Sequence, residues 1–227
     1  MRTTQFVNGE YYHVFNRGVN RVDIFHSYAN FQHFYHSLYL FNDLTYQHRG
    51  GYPHLRDTLL AAHKVLADER QPFVKIFAFC ILSNHFHLFL QQIVDDGIPT
   101  FMHKIGSGYA HYHNRRHDRT GPLFDGKYKA IHIDNEAYFV HVPRYIHLNA
   151  LDTADVPWRD GEVVDWSLAT EKLNAYPWSS HEVYRGKDQE LPVVDTEMPR
   201  RLFASPNEYD NFLRSWSGRY VFDPNNP

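Results

Sequence analysis

The sequence predicts an α+β fold: an antiparallel β-sheet with helices packed on one face, followed by a short C-terminal helical extension. Three observations lead there. Strand-forming segments and helical periodicities follow one another as strand, helices, strand, strand, helix, strand, helix, an order that suits an antiparallel sheet rather than regular βαβ units. Two apolar, β-rich runs, Phe73 to Leu82 and His85 to Gln91, are separated only by Ser83-Asn84, the pattern of a hairpin. Beyond residue 150 the periodicity weakens, which divides the chain into a main unit over 1–150 and an extension over 151–227 packed on it.

The first strand is Tyr11 to Asn16 (YYHVFN), ending in the turn Arg17-Gly18. From Asn30, the residues Phe31, Phe34, Tyr35, Leu38 and Phe41 recur at helical spacing to about Asp43. Arg49-Gly50-Gly51-Tyr52-Pro53 breaks that pattern, and a second helix is expected over about Leu55 to Glu69, ending before Pro72. After the hairpin, Pro99 opens a helix to about Arg116, the loop HDRTGP follows, and Lys127 to Ile133 forms a strand. Asp134 or Asn135 then caps a helix reaching Leu148. Pro143 lies inside it, where a proline removes a backbone hydrogen bond and costs roughly 3 kcal/mol unless the helix kinks. Short helices are expected near Leu168 to Asn174 and Asn207 to Ser215.

A composition 43% hydrophobic and 16% aromatic excludes a disordered or low-complexity chain. The single cysteine, Cys80, sits in an apolar run, so no intramolecular disulfide forms and a buried, inert thiol in a reducing compartment is expected. No run of 18 apolar residues and no signal-peptide core occurs, which points to a soluble, cytoplasmic protein with no membrane partner. The formal net charge of −3 at first argues against nucleic acid, but its distribution matters more. Residues 1–149 hold 15 Lys and Arg against 12 Asp and Glu, whereas residues 150–227 hold 8 against 14. Within residues 101–132, Lys104, Arg115, Arg116, Arg119, Lys127 and Lys129 face only Asp118 and Asp125, with five histidines interleaved. Such a patch is most often a solvated helix face. As a nucleic-acid surface it would track a phosphate backbone while Tyr109, Tyr112, Phe124 and Tyr128 stack on unpaired bases, at least half of these aromatics being core instead.

His85-Phe86-His87 places two imidazoles two residues apart, and on a strand both point to one face while Phe86 enters the other layer. That is half a metal site. Among 17 histidines some such triplets arise by chance; His111-Tyr112-His113 is another, on a predicted helix where its side chains diverge. What distinguishes His85 and His87 is their place just past a turn in a strand held by the core. Tyr145 and Asn149, four residues apart, share one helix face, although one tyrosine among 16 carries little weight alone.

Five ordered blocks carry more weight: YYHVFNRGVNRVDIF (11–25), FAFCILSNHFHLFLQ (77–91), GYAHYHNRRHDRTGPLFDGKYKA (108–130), RYIHLNA (144–150) and YPWSSHEVYRG (176–186). Together they resemble the signature blocks of the REP-associated tyrosine transposases and related IS200-like, single-tyrosine HUH transposases. The resemblance implies an HUH-endonuclease fold, ferredoxin- or RRM-like, with four to five antiparallel strands. It implies His85 and His87 as ligands of Mg²⁺ or Mn²⁺, Asn149 as the polar residue completing the metal site, and Tyr145 as nucleophile, with His147 on another helix face and no ligand. Arg17 and Arg21 are then further DNA contacts beside Arg115, Arg116, Arg119, Lys127 and Lys129. The implied substrate is single-stranded DNA carrying a hairpin, cut through a 5′-phosphotyrosine link by a monomer or homodimer. Because neutral imidazoles ligate, activity is expected to fall below about pH 6.5. Ala150, where the family usually has proline, and the added segment over about 45–71 depart from the pattern. Two other readings remain open: a domesticated protein that binds DNA or RNA hairpins without cutting, and a metal-dependent hydrolase of small phosphoesters.

Overall fold

A computed structural model describes residues 4–45, 70–161 and 163–218; the helix expected over Leu55 to Glu69, and with it most of the added segment, lies outside the described residues. Four strands, β1 (Tyr11–Arg17), β2 (Val74–Ile81), β3 (His85–Gln92) and β4 (Lys129–Ile133), form one sheet in the order β2-β3-β1-β4, every neighbouring pair antiparallel. The helices are α1 (Tyr28–Leu40), α2 (Gly97–Arg116), α3 (Glu136–Leu148), α4 (Trp166–Ala175), α5 (His181–Tyr184), α6 (Glu197–Leu202) and α7 (Pro206–Arg214), with a 3₁₀ turn over Asn149–Ala154. The α+β architecture read from the sequence is thus the observed one. Caps set the helix starts: the Ser27 side chain accepts from the Asn30 amide and begins α1 at Tyr28, and Asn135, not Asp134, caps α3 by accepting from the Tyr138 amide at 2.9 Å. Helices α5 and α6 hold four and six residues, too few turns to show a period in sequence.

One expectation is corrected: helices cover both faces of the sheet, not one. Tyr12, Val14, Phe86, Leu88 and Leu90 join a buried cluster with Phe34 and Leu38 of α1 and Phe101 and Ile105 of α2. Phe77, Cys80 and Phe89 face the opposite way, into a second cluster with Val142, Tyr145 and Ile146 of α3 and with Trp158, Leu173, Tyr209 and Trp216 beyond it. The reason is visible in β2, where seven of eight residues are buried and only Lys75 is not. A strand apolar on both sides needs cover on both. A β-bulge between Ile76 and Ala78 lets Phe77 and Ala78 both join the second cluster while Ile76 and Phe79 join the first.

Helix α3 runs unbroken through Pro143, and Val142 to Leu148 are all buried. A helix buried all round must be covered on the side away from the sheet, and the acidic extension does this. Buried Arg144 donates to the Phe212 carbonyl at 2.8 Å and the Ser215 hydroxyl at 3.0 Å, with its guanidinium over the Phe212 ring. His147 lies 2.7 Å from both the Ser180 hydroxyl and the Tyr209 hydroxyl, and Tyr209 in turn lies 3.1 Å from His181. Edge strand β2 is covered by the same region: the Ile81 amide donates to the Trp178 carbonyl, the Ser180 amide to that of Phe79, and the Asp195 amide to that of Ile76, at 2.8 to 3.0 Å. Cys80 is buried and free, and burial pushes its thiol well up. Among the described residues no helix is long and apolar enough to cross a membrane.

Tyr209→Phe leaves His147 and His181 without their shared hydroxyl partner deep in the interior. The expected loss is about 1–3 kcal/mol of stability, read as a lower urea midpoint with an unchanged m-value. A midpoint equal to that of the parent would show that the network contributes nothing.

Candidate active site

Alternation along β3 sends Phe86 and Leu88 into the first cluster and turns His85 and His87 to the face covered by α3. Pairing with β1 sets Arg17 opposite His85 and Phe15 opposite His87. The hairpin tip is anchored to the loop after β1: the Ser83 carbonyl accepts from the Ile24 and Phe25 amides, both at 2.8 Å, and the Asn84 carbonyl accepts from the Gly18 amide at 2.7 Å. Gly18 is required there, since a Cβ would lie 2.3 Å from the Val22 carbonyl oxygen. The loop continues through Asn20 and Arg21, both left-handed at φ 55° and 60°, an uncommon backbone for such residues.

Helix α3 lays Tyr145 across the imidazoles. Its ring centroid is 5.7 Å from that of His87, at 89°, and 5.7 Å from that of His13, while His85 and His87 lie 5.0 Å apart. One chain therefore brings the phenol and both imidazoles together. Tyr145 is 3% exposed; burial raises its phenol above the ordinary value, with Arg159 and Asn149 as hydrogen-bonding neighbours that oppose the shift. The Asn149 side chain is buried, its Nδ2 donating to the Tyr145 carbonyl at 2.7 Å and its Oδ1 accepting from Arg159 Nη2 at 3.0 Å. Arg159 also pairs with Asp152, which accepts from Trp158 Nε1.

The neighbours of the imidazoles bear on which nitrogens could face a metal. His85 Nδ1 lies 2.5 Å from Asn84 Oδ1, an acceptor, so Nδ1 carries the proton and Nε2 keeps its lone pair. His87 Nδ1 lies 2.9 Å from His13 Nε2; in the tautomer in which His87 Nδ1–H donates, His13 orients the ring and the His87 Nε2 lone pair would be open to a metal. Burial lowers His85 to about 4 and His13 to about 3, and holds His87 well below 6.5. Among the described residues no three or more His, Cys, Asp or Glu side chains stand together as a metal-binding group. Two neutral imidazole nitrogens in a cleft that Asn149 also lines would supply part of a site for Mn²⁺ or Mg²⁺.

These groups open on a cleft of about 510 Å³ that also draws in Arg17, Arg21 and Lys129. Arg17 is paired with Asp125 at 3.3 Å. Arg115, Arg116, Arg119 and Lys127 do not line it; the first two are exposed at the end of α2, as is Lys127 before β4. The aromatics expected to stack on bases are occupied otherwise: Tyr109 is core, its hydroxyl donating to the Ile24 carbonyl at 2.7 Å, and Tyr112, Phe124 and Tyr128 pack against the first cluster. His147, in the network with Ser180 and Tyr209, is away from the cleft. Sequence reasoning missed His13 and Arg159. His13 shares the face of His85 and His87 by strand alternation, but its meeting with His87 depends on the register between β1 and β3. Arg159 lies in a stretch without periodicity, and no sequence signal points to it.

The lowered imidazoles have a definite pH consequence. A histidine whose folded value lies below its unfolded 6.5 contributes stability fully present above pH 6.5 and lost as pH falls toward the folded value. The His85 ring ¹³Cε1 resonance, assigned with His85→Gln, is expected to titrate near pH 4; a midpoint of 6 or higher would contradict the buried environment.

Residues 53–149 match a family model described as transposase, IS200-like. Among solved structures, the chain resembles that of a REP-associated tyrosine transposase bound to a REP hairpin, at 13% identity and a TM-score of 0.50, over 86% of this chain and 93% of that one. No curated protein matches. The family model agrees with the resemblance stated from the sequence over the residues it matches, and the likeness to the solved structure shows the fold.

Proposed function

We propose that this chain acts as an IS200-like transposase, the family whose model residues 53–149 match, and that it cuts and rejoins single-stranded DNA beside hairpins. The observation that carries the reading is the meeting of Tyr145 with His85 and His87 at the floor of one cationic cleft. A similar structure is that of a transposase bound to a REP hairpin, which supports a hairpin as the partner; the reducing cytoplasm suits the free, buried thiol.

His85 and His87 would hold Mg²⁺ or Mn²⁺ through Nε2, with Asn149 beside them. A bound divalent ion would polarise the scissile phosphate and lower its charge. Tyr145 Oη attacks the phosphorus: the Oη–P bond forms, the P–O3′ bond breaks, the phenol proton leaves to solvent and the released 3′-oxygen takes up a proton. The result is a 5′-phosphotyrosine, which a 3′-hydroxyl reverses without ATP. His13 keeps His87 oriented, and α3 fixes the phenol above both rings. Arg17, Arg21 and Lys129 draw the strand to the cleft, while Arg115, Arg116, Arg119 and Lys127 bind phosphates farther along the duplex stem. The burial of Tyr145 favours a second reading, hairpin binding without cleavage.

Incubation of the full chain with Mn²⁺ and a hairpin-bearing single-stranded oligonucleotide is expected to give a covalent adduct stable to denaturing gel. Tyr145→Phe abolishes it, and His85→Ala or His87→Ala lowers its rate by at least about 100-fold. Tight binding without adduct by the parent would establish the second reading; an adduct with Tyr145→Phe would remove the nucleophile assignment. Replacing both Arg115 and Arg116 by Ala is expected to weaken hairpin affinity and to reduce the salt slope by about 0.9 per lost phosphate contact, leaving the adduct rate at saturating DNA unchanged. An unchanged slope would take both residues off the DNA path.

A further inference from the structure

A cation beside the Tyr145 phenol comes from outside the segments that resemble the transposases. Arg159 follows the 3₁₀ turn after α3, and its guanidinium is held by three neighbours. Nη2 donates to Asn149 Oδ1 at 3.0 Å and pairs with Asp152, while the guanidinium plane lies over the Trp158 ring at 4.5 Å. It is a hydrogen-bonding neighbour of the Tyr145 phenol and lines the same cleft as His85 and His87. Arg17 is drawn off by Asp125. Arg159 is thus fixed at the side of the phenol oxygen, where a phosphate must arrive for in-line attack.

We infer that Arg159 is a catalytic residue of the strand-transfer reaction, one that binds a non-bridging oxygen of the scissile phosphate beside Tyr145 Oη, with Asn149 and Asp152 as its positioning residues. The inference rests on the proposed Tyr145 chemistry. A phosphoryl group under attack gathers charge on its non-bridging oxygens, and a pre-oriented guanidinium stabilises that charge without reorganising. Arginine cannot serve as the base, since it does not deprotonate in proteins. In the reaction, the guanidinium keeps its protons while Oη–P forms and P–O3′ breaks. The same arrangement gives the Asn149 oxygen a task distinct from metal ligation: it holds the guanidinium toward the phenol.

The test is single-turnover adduct formation by the full chain with Mn²⁺ and a hairpin oligonucleotide, alongside Mn²⁺ affinity by calorimetry. Arg159→Gln is expected to slow the adduct by about 100- to 1,000-fold while Mn²⁺ affinity stays within about threefold of the parent, as ligand loss would not allow. Arg159→Ala should regain rate when guanidinium is added at sub-denaturing concentration, which a structural role would not produce. Asn149→Ala should slow the adduct, and its effect should not add to that of Arg159→Ala. Should Arg159→Gln fail to fold, Arg159→Lys, which keeps the charge but loses the planar fork, is expected at least about tenfold below the parent. Parent-like rates in the folded variant, or no rescue by guanidinium, would overturn the inference while leaving Tyr145 in place. A parent that forms no adduct overturns both.

Discussion

The arrangement depends on one constraint: β3 is buried on both of its faces. Phe86, Leu88 and Leu90 fill the space under α1 and α2, while Phe89 packs under α3, so the two imidazoles between them have a single direction in which to point. A helix on that second face must itself be covered, because Val142 to Leu148 are all buried. The extension supplies the cover through Trp158, Tyr209, Leu213 and Trp216. Its short helices are therefore part of what holds the phenol over the histidines, and the low imidazole values follow from the same burial.

An acidic chain proposed to handle phosphate looks contradictory until charge is placed in space. The net charge is −3, yet Arg17, Arg21, Lys129 and Arg159 line one cleft, where Arg17 pairs with Asp125 and Arg159 with Asp152. At physiological salt, exposed charges are screened beyond about 8 Å, so the acidic residues of the extension act mainly where they lie. The cleft has its own local field, set by these cations.

Much of the fold was legible because local rules decided it. The hairpin around Ser83-Asn84, the capped start of α3 and the shared face of Tyr145 and Asn149 each depend on residues within a few positions of one another. The parity of β3 alone placed His85 and His87 together. Three features could not be read this way. Cover on both faces depends on how the extension returns to the sheet. The contact of His13 with His87 depends on strand register across 74 residues of chain. Arg159 reaches the phenol by way of a turn with no repeating pattern. That Tyr109 would be among the aromatics that are core could not be read either, because an aromatic on a helix says little about which side of that helix is buried.

The anchored hairpin tip also bears on how the chain avoids going astray while it folds. A slip of one residue between β3 and β1 would carry Phe86 and Leu88 to the place of the imidazoles and drive both histidines into an oily layer. Sheets apolar on both sides are prone to such mistakes, since either orientation hides much the same greasy area. Here a mis-threaded strand would forfeit the amide partners that Gly18, Ile24 and Phe25 offer the tip. The turn thus proofreads the alignment of the strands before any ligand arrives.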